Sequence, residues 1–135
     1  MATPLYLDTS AVLRAVLESG TSPEIEARIQ NATALVTSRL ALVESARALV
    51  RLRVLGAATE SQIADAGREL DGIWNRCDVW ELSREVCELA RAVAPATNLR
   101  TLDALHLATF HVARRHLAGL ELLTADEKLR AAAGA

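Results

Sequence analysis

Four acidic residues in this 135-residue chain stand where a carboxylate is chemically conspicuous: Asp8, Glu44, Asp103 and Asp126. Asp8 directly follows the short apolar run 4–7, and Asp126 comes three residues after Leu123, the end of another. Asp103 and Glu44 lie in the first and second turns of helix patterns opened by Thr101 and Thr37. Glu44 is the most telling, because its neighbours from Leu40 to Ala46 are otherwise apolar or small. A carboxylate in such a stretch is costly unless it is exposed, paired or bound to a cation. Carboxylate oxygens without a His/Cys ligand motif suit a hard divalent ion, Mg²⁺ or Mn²⁺. An ion so held keeps water in its shell and suits phosphate-ester hydrolysis.

Each acid also has a structural explanation. Asp8 is a candidate N-cap, and Asp103 and Asp126 complement the positive end of a helix dipole. Glu44 has Arg47 and Arg51 at one- and two-turn spacings on its own helix. These accounts treat the positions singly. Four acids converging on one end of a sheet would repel one another and raise one another's pKa values unless a positive charge sits between them.

The elements that must position these residues are legible from pattern. Short apolar runs at 4–7, 33–36, 78–82 and 120–123 read as strands. Between them lie helices at 9–18, stopped by Gly20; at 22–31, with Ser22 as N-cap ahead of Pro23; and at 37–55, closed by Gly56. Further helices run from a Thr59/Gln62 capping box to Asn75, from Ser83 to before Pro95, and from Thr101 to His116. A second capping box, Thr124 with Glu127, starts the last helix, whose final residues 131–135 are expected to fray. Strands alternating with helical crossovers predict an α/β fold. The expected form is a three-layer α/β/α sandwich around a central, mostly parallel sheet of four or five strands. In such sheets the site lies beyond the carboxyl ends of the strands. The alanine- and leucine-rich faces of the helices from Ser22 and Thr37 fit either core or a groove for a partner helix.

Composition excludes several classes. One domain of this size folds unaided, and 51% apolar with 24% charged residues is a globular balance. No apolar run approaches the roughly 20 residues of a membrane span, and the start lacks a basic leader pattern. Cys77 and Cys87 have no metal-ligand spacing and no disulfide framework, so a reducing cytoplasm is the expected compartment. A net charge of −2 gives no global basic footprint, although two divalent ions would move it to +2. Fourteen of the fifteen cationic residues are arginine, which suits bidentate phosphate contacts and equally suits a GC-rich codon bias. Four aromatic residues are too few for a base-stacking platform.

The segments Tyr6-Leu7-Asp8-Thr9-Ser10-Ala11, Val43-Glu44, Leu102-Asp103-Ala104-Leu105-His106-Leu107-Ala108 and Leu122-Leu123-Thr124-Ala125-Asp126, in that order, resemble the PIN-domain ribonucleases, and more closely the VapC-type toxins of bacterial toxin–antitoxin pairs. The resemblance covers essentially the whole chain, implying a single PIN-like nuclease domain over residues 1–135. It implies that Asp8, Glu44, Asp103 and Asp126 are the catalytic metal-site carboxylates, with Asp8 and Asp103 as direct ligands. Glu44 and Asp126 would complete the site or hold metal-coordinated water. Thr9, Ser10 and Thr124 match small hydroxyl residues that orient a ligand or water, and Arg100 either steadies the site, touches phosphate or forms a surface ion pair. The implied activity is Mg²⁺-dependent (or Mn²⁺-dependent) cleavage of RNA to a 5′-phosphate and a 3′-hydroxyl, without a protein nucleophile. The implied partners are an RNA substrate, a small VapB-type antitoxin that inhibits the toxin, and a second copy in a homodimer.

Other features weigh less. His106, one turn beyond Asp103, fits a packed, hydrogen-bonded histidine better than a metal ligand. His111 and His116 do not share a helix face. A haloacid-dehalogenase-like phosphatase would want an acid where Ser10 stands and a catalytic lysine, yet Lys128 is the only lysine and falls in the last helix. A receiver-like signalling domain would need paired acids at the first strand end and a lysine after the last strand. A housekeeping RNA-processing nuclease of the same family, without an antitoxin, is the nearest alternative.

Overall fold

Strand and helix alternate along the chain as the pattern predicts. The computed structural model describes residues 2–134. In order these form β1 (Pro4–Leu7), α1 (Thr9–Leu17), α2 (Pro23–Asn31), β2 (Ala34–Ser38), α3 (Arg39–Val54), α4 (Glu60–Trp74), β3 (Cys77–Trp80), α5 (Arg84–Ala90), α6 (Thr101–His116), β4 (Glu121–Leu123) and α7 (Glu127–Gly134). All three strand pairings are parallel and the sheet order is β3-β2-β1-β4. The described residues contain four strands, not five.

Period-two alternation splits each strand between two cores. Leu5, Leu7, Leu35 and Leu123 face a layer built from α1 to α4, packing with Ala11, Val12, Ile29, Ala41, Leu70 and Trp74. Tyr6 and Val36 face the other way, onto Leu107 and Phe110 of α6 and Leu129 of α7. Helix α5 covers α6 through Val86 against Ala108 and Val112. Both faces of the sheet are therefore covered, which is why its strands read as continuous apolar runs. Each large side chain buried this way stabilises the fold by about 1.5–3 kcal/mol relative to exposure.

Several element boundaries differ from the pattern reading. Thr37 does not open α3: it is the fourth residue of β2, and its hydroxyl donates to the carbonyl of Leu7 at 2.8 Å. A β-branched residue is at home in a strand, and the cap passes to Ser38, which accepts from the Leu40 amide at 3.1 Å. Thr101 is the first residue of α6 and not its cap; Arg100 takes the cap position without a side-chain bond. Ser22 sits at the α2 cap position, but its side chain bonds no helix amide. The Thr59/Gln62 box and the Ser83 cap form as read. Strand β3 stops at Trp80, where its pairing with Ser38 ends, and Glu81 turns out to a bidentate contact with Arg39. Helix α5 ends at Ala90, ahead of Ala94 with its φ of 47°. Residues 131–134 continue α7, held by buried Ala132, while Ala135 lies outside the described residues.

The apolar faces of α2 and α3 enter the core through Ile29, Leu40 and Ala41, with Ile25, Leu42 and Leu49 partly buried against it. Toward its carboxyl end, however, α3 leaves Val54 and Leu55 exposed, and Leu52 lines a cavity of about 370 Å³ with Val16, Leu17 and Ile63. No helix among the described residues is long and apolar enough to cross a membrane. Cys77 and Cys87 are both free thiols; burial pushes the Cys77 thiol up to about 12.

Candidate active site

From β1 the chain steps outward through β2 to β3, and β4 then pairs with the opposite edge of β1. The gap beyond their carboxyl ends is thus the switch point of the fold. Asp8 follows β1 there, and Thr124 and Asp126 follow β4. The first turn of α6 brings Asp103, and the second turn of α3 brings Glu44.

Asp8 occupies the cap position of α1 but caps nothing; its side chain makes no bond to a helix amide. Instead its Oδ2 accepts from two hydroxyls, Ser10 at 2.5 Å and Thr124 at 2.7 Å. Each of those hydroxyls is itself held by the backbone. Ser10 Oγ accepts from the Ala125 amide and Thr124 Oγ1 from the Asp126 amide, both at 3.0 Å. Arg130 donates to the Thr124 carbonyl at 2.6 Å, pinning the turn after β4 to α7. Among the described residues no hydrogen bond engages Oδ1 of Asp8, so the carboxylate is fixed through one oxygen and offers the other. The capping box expected of Thr124 and Glu127 does not form. Asp126 supplies the cap, its Oδ1 accepting from the Leu129 amide at 3.0 Å, and Glu127 pairs with Arg130.

Glu44 does not pair with Arg47 or Arg51. Its Oε1 accepts from the Thr9 hydroxyl at 2.7 Å and lies 2.6 Å from His106 Nε2. Burial alone would push the Glu44 carboxyl up. The hydrogen bonds from His106 and Thr9, with the attraction of His106, outweigh it and hold the carboxyl below its ordinary value. The same Nε2 lies 3.6 Å from Asp8 Oδ1, so one imidazole nitrogen stands between the acid of α3 and the acid of β1.

Asp103 carries the clearest sign that the acids share a field. Its carboxyl is pushed up first by burial, then by the charges of Asp126 and Asp8. Arg100 and His106 do not offset this. Arg100 is 86% exposed and its Nε stands 3.8 Å from Asp103 Oδ2, so it forms the surface ion pair and not a buried contact.

The structure therefore brings all four acids to one end of the sheet. Their donor set is carboxylate oxygen, with Asp8 Oδ1 accepting no hydrogen bond among the described residues and Asp103 held in a negative field. That chemistry fits a hard divalent cation and fits neither a soft metal nor an anion. The cluster is open: among the described residues no three His, Cys, Asp or Glu side chains form a ready ligand shell. The hydroxyls of Thr9, Ser10 and Thr124 all donate to the acids, and none of the three is a helix cap.

His106 holds a larger place than its sequence setting suggests. It is packed and hydrogen-bonded, as read, yet it also faces the site. The signal was present in its spacing, since a residue three beyond Asp103 shares that helix face. His111 and His116 stay apart from the acids, against Arg114 and Trp80 respectively.

Comparison with known proteins identifies the family. The family model for the PIN domain matches residues 5–135. Ribonuclease VapC45 of Mycobacterium tuberculosis (strain CDC 1551 / Oshkosh) is 33% identical over 105 residues, covering 78% of this chain and 73% of that protein. Ribonuclease VapC47 of the same strain is 32% identical over 129 residues, covering 93% and 86%. Among solved structures, PAE2754 from Pyrobaculum aerophilum superposes with a TM-score of 0.66 at 25% identity, covering 98% of this chain and 81% of that one. A toxin–antitoxin complex from Klebsiella pneumoniae shares the fold, with a TM-score of 0.63 at 20% identity, covering 90% and 86%. A family-model match over residues 5–135, relatives above 30% identity and a carboxylate cluster at the switch point lead to one conclusion: the chain belongs to the PIN-domain family, within its VapC-type branch.

Proposed function

We propose that the protein is a divalent-metal-dependent endoribonuclease, the toxin of a toxin–antitoxin pair, with residues 1–135 acting as one nuclease domain. The observation that carries the catalytic reading is the shared field of Asp103, Asp126 and Asp8 beside a Glu44 held by His106. Four carboxylates in one place need a counter-charge, and an oxygen-only donor set selects Mg²⁺ or Mn²⁺. The relatives' printed names, ribonucleases of the VapC type, support RNA as the substrate.

In this reading Asp8 and Asp103 are the direct ligands. Ser10 and Thr124 orient Asp8 so that Oδ1 faces the ion. Glu44 and Asp126 complete the site; Asp126 does so while capping α7, which fixes the turn after β4. When bound, the ion lowers the pKa of water and neutralises charge on the phosphoryl oxygens. Glu44, held through Oε1 by His106 and Thr9, is placed to complete the site or to hold metal-coordinated water. This reading needs no protein nucleophile, since the Ser10 hydroxyl is occupied in orienting Asp8, and hydrolysis by water leaves a 5′-phosphate and a 3′-hydroxyl. The exposed Arg100 stands at the rim, where a substrate phosphate would arrive.

The partner is a small antitoxin of the VapB type. Support comes from the fold shared with chains of toxin–antitoxin complexes. A homodimer is the expected form of the free toxin, and light scattering on the purified chain measures it. The test of function is incubation of purified protein with total RNA in Mg²⁺, with the Asp8→Asn variant alongside. Specific cleavage by the wild type alone supports the reading, and equal cleavage by both overturns it.

A further inference from the structure

One buried group joins the four-acid site to the core behind it. His106 is 1% exposed, and its two ring nitrogens face in opposite directions. Nδ1 lies 2.8 Å from the hydroxyl of Tyr6, which is itself fully buried at the centre of β1. Nε2 lies 2.6 Å from Glu44 Oε1, with Thr9 Oγ1 at 3.2 Å. A carboxylate can only accept, so Nε2 is the donor in the contact with Glu44. The ring plane is set from behind: Tyr6 stands edge-on to it, with ring centroids 6.0 Å apart and planes at 75°. Tyr6 is anchored in turn by Phe110, 5.9 Å away in a second edge contact.

This arrangement has a directional consequence. Glu44 projects from α3, whereas Asp103 and His106 share α6 and Asp8 follows β1. Without a bond across the layers, a three-carbon side chain samples several rotamers. The Nε2 and Thr9 donors both take Oε1, so Glu44 is held by one oxygen and Oε2 is left without a partner among the described residues. Asp8 is held in the same manner, by Oδ2 through Ser10 and Thr124. We infer that His106, backed by Tyr6, is a positioning residue that fixes Glu44 by its Oε1 so that Oε2 is presented to the divalent ion. This rests on the metal-dependent reading above. Orienting partners of ligating groups are worth about 10–100-fold in metal affinity.

Two substitutions separate positioning from packing, because an asparagine amide reaches the place of Nδ1 and a glutamine amide that of Nε2. The readout is Mn²⁺ affinity of the full chain by electron paramagnetic resonance, with thermal melts run in parallel. His106→Asn keeps a partner for Tyr6 but drops Glu44, and the Mn²⁺ Kd should rise by about 10–100-fold. His106→Gln restores a donor to Glu44 and should recover most of that loss. In a double-mutant cycle, adding His106→Asn to Glu44→Gln should cost nothing further, since the residue acts through Glu44. Equal weakening in both histidine variants, or an undiminished effect in the Glu44→Gln background, would show a packing role and overturn the inference. Wild-type affinity in both variants would overturn it as well. A wild-type chain that binds no Mn²⁺ would instead remove the metal reading, and this inference with it.

Discussion

The hydroxyl of Thr124 donates to Oδ2 of Asp8 at 2.7 Å, joining two residues 116 positions apart at the gap between β1 and β4. This bond links fold to chemistry. The parallel pairing of Leu7 with Leu123 sets the two strand ends level. The next residue of each strand then supplies one partner. A carboxylate held there by Oδ2 cannot swing away, and its other oxygen lies 3.6 Å from His106 Nε2.

Substituting Asp8 by Asn should leave the fold intact, because an amide oxygen still accepts from Ser10 and Thr124. RNA cleavage should fall by at least about 100-fold, more than the loss typical of an orienting partner. Single-turnover cleavage rates, with circular dichroism for the fold, check this.

Asp103→Asn should raise the melting temperature of the chelator-treated protein by about 2–4 °C, because it relieves repulsion from Asp126 and Asp8. The sign in pH follows from the direction of the shift. A carboxyl whose folded pKa lies above its unfolded value destabilises the fold when ionised, and that cost disappears as pH falls through the folded pKa toward the unfolded one. The advantage of Asp103→Asn is therefore greatest at neutral pH and vanishes below the ordinary carboxylate range. Glu44 has the opposite sign: its pairing contributes stability above the ordinary glutamate value, lost as pH falls through its depressed folded pKa. Melts of wild type and Asp103→Asn from about pH 7 down to about pH 2.5 separate the two.

Asp126 has two roles that substitution can divide. Asp126→Asn retains an oxygen for the Leu129 amide, so stability should hold while cleavage falls. Asp126→Ala removes the cap as well, and should cost about 1 kcal/mol of stability in addition. Chemical denaturation of both variants measures the difference.

Helix α3 must be held against α4 for Glu44 to reach the site, and Ser45 does part of this. Its hydroxyl accepts from the indole N–H of Trp74 at 3.1 Å within the core. Ser45→Ala leaves that donor buried and unpaired, and should destabilise the chain by about 1–3 kcal/mol. The midpoint of urea unfolding reads this directly.

Much of this was legible in the sequence, and the exceptions have physical causes. The acids could be placed beyond the strand ends because short apolar runs mark parallel strands and the next polar residue marks their end. Strand order could not be read, since Leu5, Leu35 and Leu122 look alike until paired. Local capping rules failed at Thr37 and Thr124, where a tertiary partner competes for the hydroxyl. Thr37 bonds the Leu7 carbonyl and Thr124 bonds Asp8; neither partner is near in sequence. The bridge from His106 to Glu44 spans 62 residues, so spacing within one helix gave its direction but not its target.

The measurement that bears most directly on the four-acid metal site is calorimetric titration of Mn²⁺ into the chelator-stripped chain, beside Asp8→Asn and Asp103→Asn, with RNA cleavage followed in the same samples. The account predicts saturable binding by the wild type, weakened in both variants, and cleavage that EDTA silences and Mg²⁺ or Mn²⁺ restores. Cleavage that persists in EDTA, or Mn²⁺ binding unchanged by either substitution, would contradict it.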